Sequence, residues 1–412
     1  MPATSAPEPA TAVVAGRQSR PHIYEMDPLR IVTALVVVAV HVLAFVDLRS
    51  QTPLTVQLQN AALAATHFTR AVFMFVTAFT LTYVYYGKPF PLKRFWSRRS
   101  IGVLLPYCLW SAAYAWLNTP HTSPVQFSKV LAADLVTGNA SYQLYYILLT
   151  LQFYLLLPLF LFFLRYAARW PWPVLAGSFA LQWLMLYADY QYIQRGVVAT
   201  SGLAATLAQY RGSCALYYPF YFVLGGLAAV YLPRVRPVLL RYGWWTLAGF
   251  VVALAAIWGN FMFQVRANQQ PVDYAVSILQ PIMLFYSVAV ILFLCWLASL
   301  WARRADATGT PRGYRYWRPL SDASFGVYLI HAAILAVVLQ RVAPVLPLVW
   351  PGALRAFVVW VLAAAGATAL SVTFASLPIL SRLVGRSRPL PRGLMARTWL
   401  APWIARLPAA KP

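Results

Sequence analysis

Apolar runs separated by polar or basic clusters recur along the chain at about 30 to 48, 68 to 86, 101 to 117, 142 to 164, 173 to 189, 214 to 232, 244 to 263, 277 to 301, 324 to 340 and 356 to 380. These lengths approach the roughly 20 residues an α-helix needs to cross the hydrocarbon of a bilayer. None shows the alternating pattern of an outer-membrane strand, and backbone groups in hydrocarbon must pair within their own segment, so the pattern predicts helices. The expected fold is all-α and integral to the membrane, a bundle of about ten transmembrane helices. Between the third and fourth runs, Phe127, Val130, Leu131 and Leu135 recur at helical spacing and predict a short interfacial helix over 126 to 136. No duplicated motif marks two matching halves of the kind found in many secondary transporters.

Composition sharpens this reading. Of the 412 residues, 61% are hydrophobic and only 10% charged, whereas a soluble domain has roughly a quarter of its residues charged. The balance of 33 Lys and Arg against 9 Asp and Glu would suggest a nucleic-acid partner in a soluble protein, but here it follows topology. With ten crossings, 25 basic residues fall on the side holding both termini and 8 on the other, which places both termini in the cytoplasm and argues against nucleic acid. Residues 1 to 27 lack the apolar core of a signal peptide and read as a disordered cytoplasmic tail; 28 to 380 form the transmembrane domain. Residues 381 to 412 are basic and carry Trp399, Trp403 and Ile404 in an amphipathic arrangement, as a membrane-surface segment does. Cys108, Cys214 and Cys295 lie in apolar runs with no metal-ligand spacing.

Ionisable residues inside apolar spans are costly, which makes each a functional candidate. Arg30 and His41 stand eleven positions apart on the first span, about 20° apart around a helix and about 16 Å along it, so they are expected to face one cavity at two depths. An imidazole deprotonates hydroxyls near neutral pH and a guanidinium holds phosphate or carboxylate; the competing account is an inner-face anchor and an interhelical contact. His331 and Ser324 share a face of another span, with Ser321 or Asp322 as its N-cap. The loop from Lys88 to Arg99 gathers Lys88, Lys93, Arg94, Arg98 and Arg99 with Phe90, Phe95 and Trp96, suited to an anionic headgroup or a nucleotide-bearing substrate and equally to positive-inside bias. Paired carboxylates, phosphate loops and nucleophile elbows are missing from the sequence.

Taken in order, Arg30-x10-His41, the run from Phe73 to Leu81, Arg98-Arg99 with Leu105-Pro106-Tyr107, and the run from Ser324 to His331 resemble the acyltransferase-3 family of bacterial membrane O-acyltransferases. Tyr142-Gln143-Leu144-Tyr145-Tyr146 with Gln152-Phe153-Tyr154 and Pro158 is similar to the branch of intercellular-adhesin polysaccharide modifiers. The resemblance implies a multi-pass protein of the bacterial cytoplasmic membrane that moves an acyl group, most readily acetyl, from acyl-CoA to a hydroxyl of a cell-envelope glycan or other glycoside. It implies no bound cofactor and no metal, His41 as base or relay with Arg30 its essential companion, Lys93, Arg94, Arg98 and Arg99 toward the donor, and His331, Ser324 and Gln143 as a secondary polar site. Three departures stand out: Thr77-Ala78 where Ser-Gly is common, Gly102 where the second arginine of an Arg-x-x-Arg pattern is expected, and Gln143 in place of a frequent histidine. The alternative from another class is an exporter or flippase of a glycan or lipid-linked intermediate, with the aromatics of 217 to 222 lining its path.

Overall fold

The computed structural model describes residues 20–46, 52–119, 123–196, 201–306 and 309–390. Most of the expected N-terminal tail, and the segment with Trp399, Trp403 and Ile404, lie outside the described residues. The chain runs through α1 (Met26–Phe45), α2 (Pro53–Thr66), α3 (Thr69–Tyr85), α4 (Leu92–Arg99), α5 (Leu105–Asn118) and α6 (Pro124–Thr137). It continues with α7 (Tyr145–Ala167), α8 (Pro171–Ala188), α9 (Gly202–Tyr210), α10 (Pro219–Val230), α11 (Leu232–Tyr242) and α12 (Trp244–Met262). α13 (Val272–Ala275), α14 (Pro281–Ala302), α15 (Tyr314–Arg341) and α16 (Gly352–Ser376) complete it.

Among the described residues eight helical stretches are long and apolar enough to cross a membrane, or nine if α10 and α11, bent by 97° at their junction, make one span. Ten were expected. The difference lies in two runs. α8 spans 18 residues but includes Pro171, Pro173, two tryptophans and Gln182, which dilute its hydropathy. The run at 214 to 232 opens on one short 3-10 turn, Ala215–Tyr217, and becomes α-helical only at Pro219. The predicted interfacial helix is present as α6: Ser123 caps it by accepting from the Gln126 amide, Pro124 fills its first turn, and Gly138 ends it at φ 77°. A side chain at Gly138 would strike the Tyr145 backbone, its Cβ 2.6 Å from Cα, because the chain doubles back there into α7.

α15 departs from expectation at its start. It begins ten residues before 324, behind Gly313 at φ 79°, so Ser321 and Asp322 are interior residues and cap nothing. Ser321 Oγ instead donates to Asp27 Oδ1 on α1 at 2.7 Å, and Asp322 faces Arg386 at 3.6 Å.

Helices in a bilayer gain little from the hydrophobic effect against one another and associate through close contact at small residues. α15 lies along α16, and α3 along α10. At the second pair a Cβ on Gly225 would sit 2.4 Å from the Phe75 carbonyl oxygen and 3.0 Å from Ala78 Cβ. The small residue expected after Thr77 is thus supplied by the facing helix. Gly225→Ala must push α3 away and is expected to destabilise the protein by about 1–3 kcal/mol. A lowered thermal midpoint of the detergent-purified variant, with Gly249→Ala unchanged since nothing lies within 4 Å of its Cβ, checks this.

Candidate functional site

Four helices each present one inward stripe, and the stripes stack into layers. On α3 the stripe is Phe73, Thr77 and Thr80; on α7 it is Tyr146, Thr150 and Tyr154; on α15 it is Ser324, Tyr328 and His331; on α1 it is Arg30 and His41. Spacings of three and four residues on α3, α7 and α15, and of eleven on α1, put each set on one helix face.

At one end a cavity of 340 Å³ is lined by Arg30, Thr77, Thr80, Arg99, Thr150, Tyr154, Asp322, Ser324 and Arg386 among others. Arg30 donates to Thr80 Oγ1 at 3.1 Å and pairs with Asp27 at 3.7 Å; Asp27 is in turn held by His22 at 2.7 Å. Arg99 lies over the rings of Tyr154 (4.9 Å) and Phe95 (5.5 Å), which fixes its guanidinium at the cavity wall. The lining has three guanidiniums against one carboxylate, Asp322, and so favours an anion.

At the other end a cavity of 220 Å³ is lined by His41, His67, Arg70, Tyr142, Gln143 and Tyr145 with several apolar residues. The His41 ring lies 4.3 Å from that of Tyr142 and 5.3 Å from that of His331, nearly parallel to the latter at 20°. His331 is fully buried and borders neither cavity. Its Nδ1 donates to the Tyr328 carbonyl at 2.7 Å, which fixes the tautomer and leaves Nε2 a lone-pair acceptor without a partner. Stacked rings do not align for in-plane proton transfer, so His331 backs His41 and does not extend it. Gln143, also buried, accepts from Ser141 Oγ at 2.6 Å and receives the Tyr328 hydroxyl on its carbonyl.

The two cavities share three lining residues, Phe73, Tyr146 and Tyr328. Their ring centroids lie 5.6, 5.9 and 6.1 Å apart, so three aromatic rings form a wall between the cavities. This corrects one expectation directly: Arg30 and His41 do not face one cavity at two depths but lie in separate chambers on opposite sides of that wall. The secondary polar site divides in the same way, Ser324 on the Arg30 side and Gln143 and His331 on the His41 side.

Of the expected donor-side cations only Arg99 reaches a cavity; Lys93, Arg94 and Arg98 are exposed on α4 and line neither. Helical geometry explains this, since α4 presents one face inward, centred on buried Phe95. Sequence reasoning missed Arg386 and passed over Arg70. Gly102 also lines the Arg30 cavity, and Arg386 brings a guanidinium to the place where an arginine at 102 was expected. The aromatic run of the transport reading is core: Phe220, Tyr221 and Phe222 are buried, and Phe222 stacks on Phe153 at 4.0 Å. Among the described residues no group of three His, Cys, Asp or Glu gathers as metal ligands.

Comparison with known proteins agrees with these motifs. Residues 23–376 match the model of the acyltransferase-3 family, described as an acyltransferase domain. No curated protein and no solved structure matches the chain significantly. The matched region takes in both cavities apart from the short segment carrying Val384, Gly385 and Arg386. The chain therefore belongs to the acyltransferase-3 family, and it is a multi-pass membrane enzyme that transfers acyl groups.

Proposed function

We propose that the protein moves an acyl group, acetyl in the simplest case, from a coenzyme A thioester to a hydroxyl of a cell-envelope glycan or glycoside, in the bacterial cytoplasmic membrane. The observation that carries this reading is the pairing of a cation-lined chamber with a histidine chamber across one aromatic wall. Arg30, Arg99 and Arg386 suit the phosphates of the donor, which stay at the mouth while the flexible thioester arm enters. The arm is thin enough to pass between side chains, whereas the nucleotide is not, so Phe73, Tyr146 and Tyr328 are the residues that must part.

On the far side, His41 takes the proton of the acceptor hydroxyl as its oxygen attacks the thioester carbonyl. The tetrahedral intermediate then collapses, the carbon–sulfur bond breaks, and the leaving thiolate takes the proton back from the imidazolium. The new ester stays on the acceptor and free coenzyme A leaves by the Arg30 chamber. His41 suits the base role because its ring borders the cavity, and Tyr142 and His331 hold it there.

The test is reconstitution in vesicles with labelled acetyl-CoA supplied at one face and candidate glycan at the other. Alkali-labile label on the glycan, together with release of free thiol, is the expected result. Glycan that crosses the membrane without gaining label overturns the proposal and restores the transport alternative.

A further inference from the structure

The His41 chamber contains a positive charge that no acid among the described residues balances. Arg70 sits in the first turn of α3, at its wall. Its guanidinium lies over the Tyr145 ring at 4.4 Å, and Nη1 donates to the neutral Tyr218 hydroxyl at 3.3 Å. Three other partly buried arginines have acids: Arg30 has Asp27, Arg211 has Asp189 and Arg386 has Asp322. Among the described residues Arg70 has none within ion-pair distance, and no Asp or Glu lines its chamber. A fixed charge surrounded by apolar helices is costly unless it is paired, and a ring face with one long neutral hydrogen bond compensates it only in part.

A second group in the same lining points to a ligand. Gln143 is 1% exposed, and its Nε2, a donor, makes no close hydrogen bond among the described residues, with only the Tyr114 hydroxyl near it. Arg70, a charged donor, and Gln143 thus both line a 220 Å³ space in which no acidic side chain occurs among the described residues. His67 borders the same space through a ring whose Nδ1 is engaged with the Val276 carbonyl at 2.8 Å.

We infer that this chamber is an anion subsite, and that the acceptor whose hydroxyl meets His41 has a carboxylate or phosphate group held by Arg70. This deepens the reading of the His41 chamber as the acceptor side and rests on it. The contrast with a neutral sugar is steric as well as electrostatic, because the guanidinium is fixed by Tyr145 and its planar donors match a carboxylate or phosphate in two-point contact.

Equilibrium binding to the purified full chain, measured without any acyl donor, tests the inference directly. The probes are methyl β-glucuronide, glucose 6-phosphate and methyl β-glucoside. At least one of the two acids should bind about 10- to 100-fold more tightly than the glucoside, and the better acid identifies carboxylate or phosphate as the source. The preference should shrink as salt is raised. Arg70→Gln should bring the ratio close to one, with Arg70→Lys in between, both checked as monodisperse proteins; should Arg70→Gln not fold, the wild-type preference and its salt dependence decide.

Equal binding of all three probes overturns the inference, as does a preference that survives Arg70→Gln. In turnover assays the Arg70→Lys loss should fall on KM for the acidic acceptor. A loss confined to kcat at unchanged affinity also overturns it and assigns Arg70 to the transition state. Because binding is read without a donor, absence of acyl transfer would count against the proposed reaction and leave the anion subsite to stand or fall on the affinities.

Discussion

Purified protein with His41→Ala is expected to lose acyl transfer by about 10²- to 10⁴-fold, the range over which a positioned general base contributes. The loss should fall on kcat. His41 borders the chamber proposed for the acceptor hydroxyl, whereas the cation cluster proposed to hold the donor lies across the aromatic wall. Donor affinity in the variant should therefore remain that of the wild type. The fold should survive as well, since the imidazole is half-buried beside an existing cavity and its contacts with Tyr142, His331 and Phe45 are ring contacts. Single-turnover measurement of ester formation, with the variant's thermal midpoint taken alongside, gives the answer. Wild-type turnover in a folded His41→Ala protein would remove His41 from the mechanism.

Arg99→Ala is expected to raise KM for acetyl-CoA about 10- to 100-fold, since one hydrogen-bonded charge contact contributes about 1.5–3 kcal/mol. Its guanidinium is anchored over Tyr154 and Phe95 and points into the chamber that it shares with Arg30 and Arg386. The phosphates it would hold lie far from the reacting carbon, so the interaction is the same in ground and transition states, and kcat should change little. A truncated donor makes the result specific. Acetyl-pantetheine has no nucleotide, and its KM should be unaffected by the substitution. An equal loss on both donors would mean that Arg99 shapes the chamber and does not read phosphate. Arg98→Ala serves as the comparison, because Arg98 is exposed and lines neither cavity.

Several parts of this architecture are legible in the order of residues. The helix class follows from apolar runs near the length of a bilayer, and a short helix over 126 to 136 follows from the spacing of Phe127, Val130, Leu131 and Leu135, although its start at Ser123 and Pro124 does not. His41 and Arg30 stand out because charge and imidazole are rare in such runs. The number of crossings is less legible. Hydropathy averages over a window, so it does not see that Tyr218 and Pro219 delay α10, or that the chain turns by 97° at Tyr231.

The donor-side cations show the limit most clearly. Positive-inside bias enriches arginine and lysine throughout the loops on one side, which makes Lys93, Arg94, Arg98 and Arg99 equivalent on paper. Only the rotation of α4 about buried Phe95 selects Arg99. Arg386 lies more than 280 residues further along the chain, and no local pattern connects it with Arg99. Arg70 is one of the eight basic residues on the outer side of the ten-span topology, and its neighbours in sequence give no reason to set it apart.

The sequence by itself determined that this chain is a helical membrane protein, that a histidine and an arginine share a face of its first span, and which family motifs accompany them, because periodicity and hydropathy are local properties. The tertiary structure decided that the two residues line different chambers. A helical stripe states which side chains point the same way, but what fills the space between them comes from other helices. Here Phe73, Tyr146 and Tyr328 meet from α3, α7 and α15, and only their packing turns one expected cleft into two.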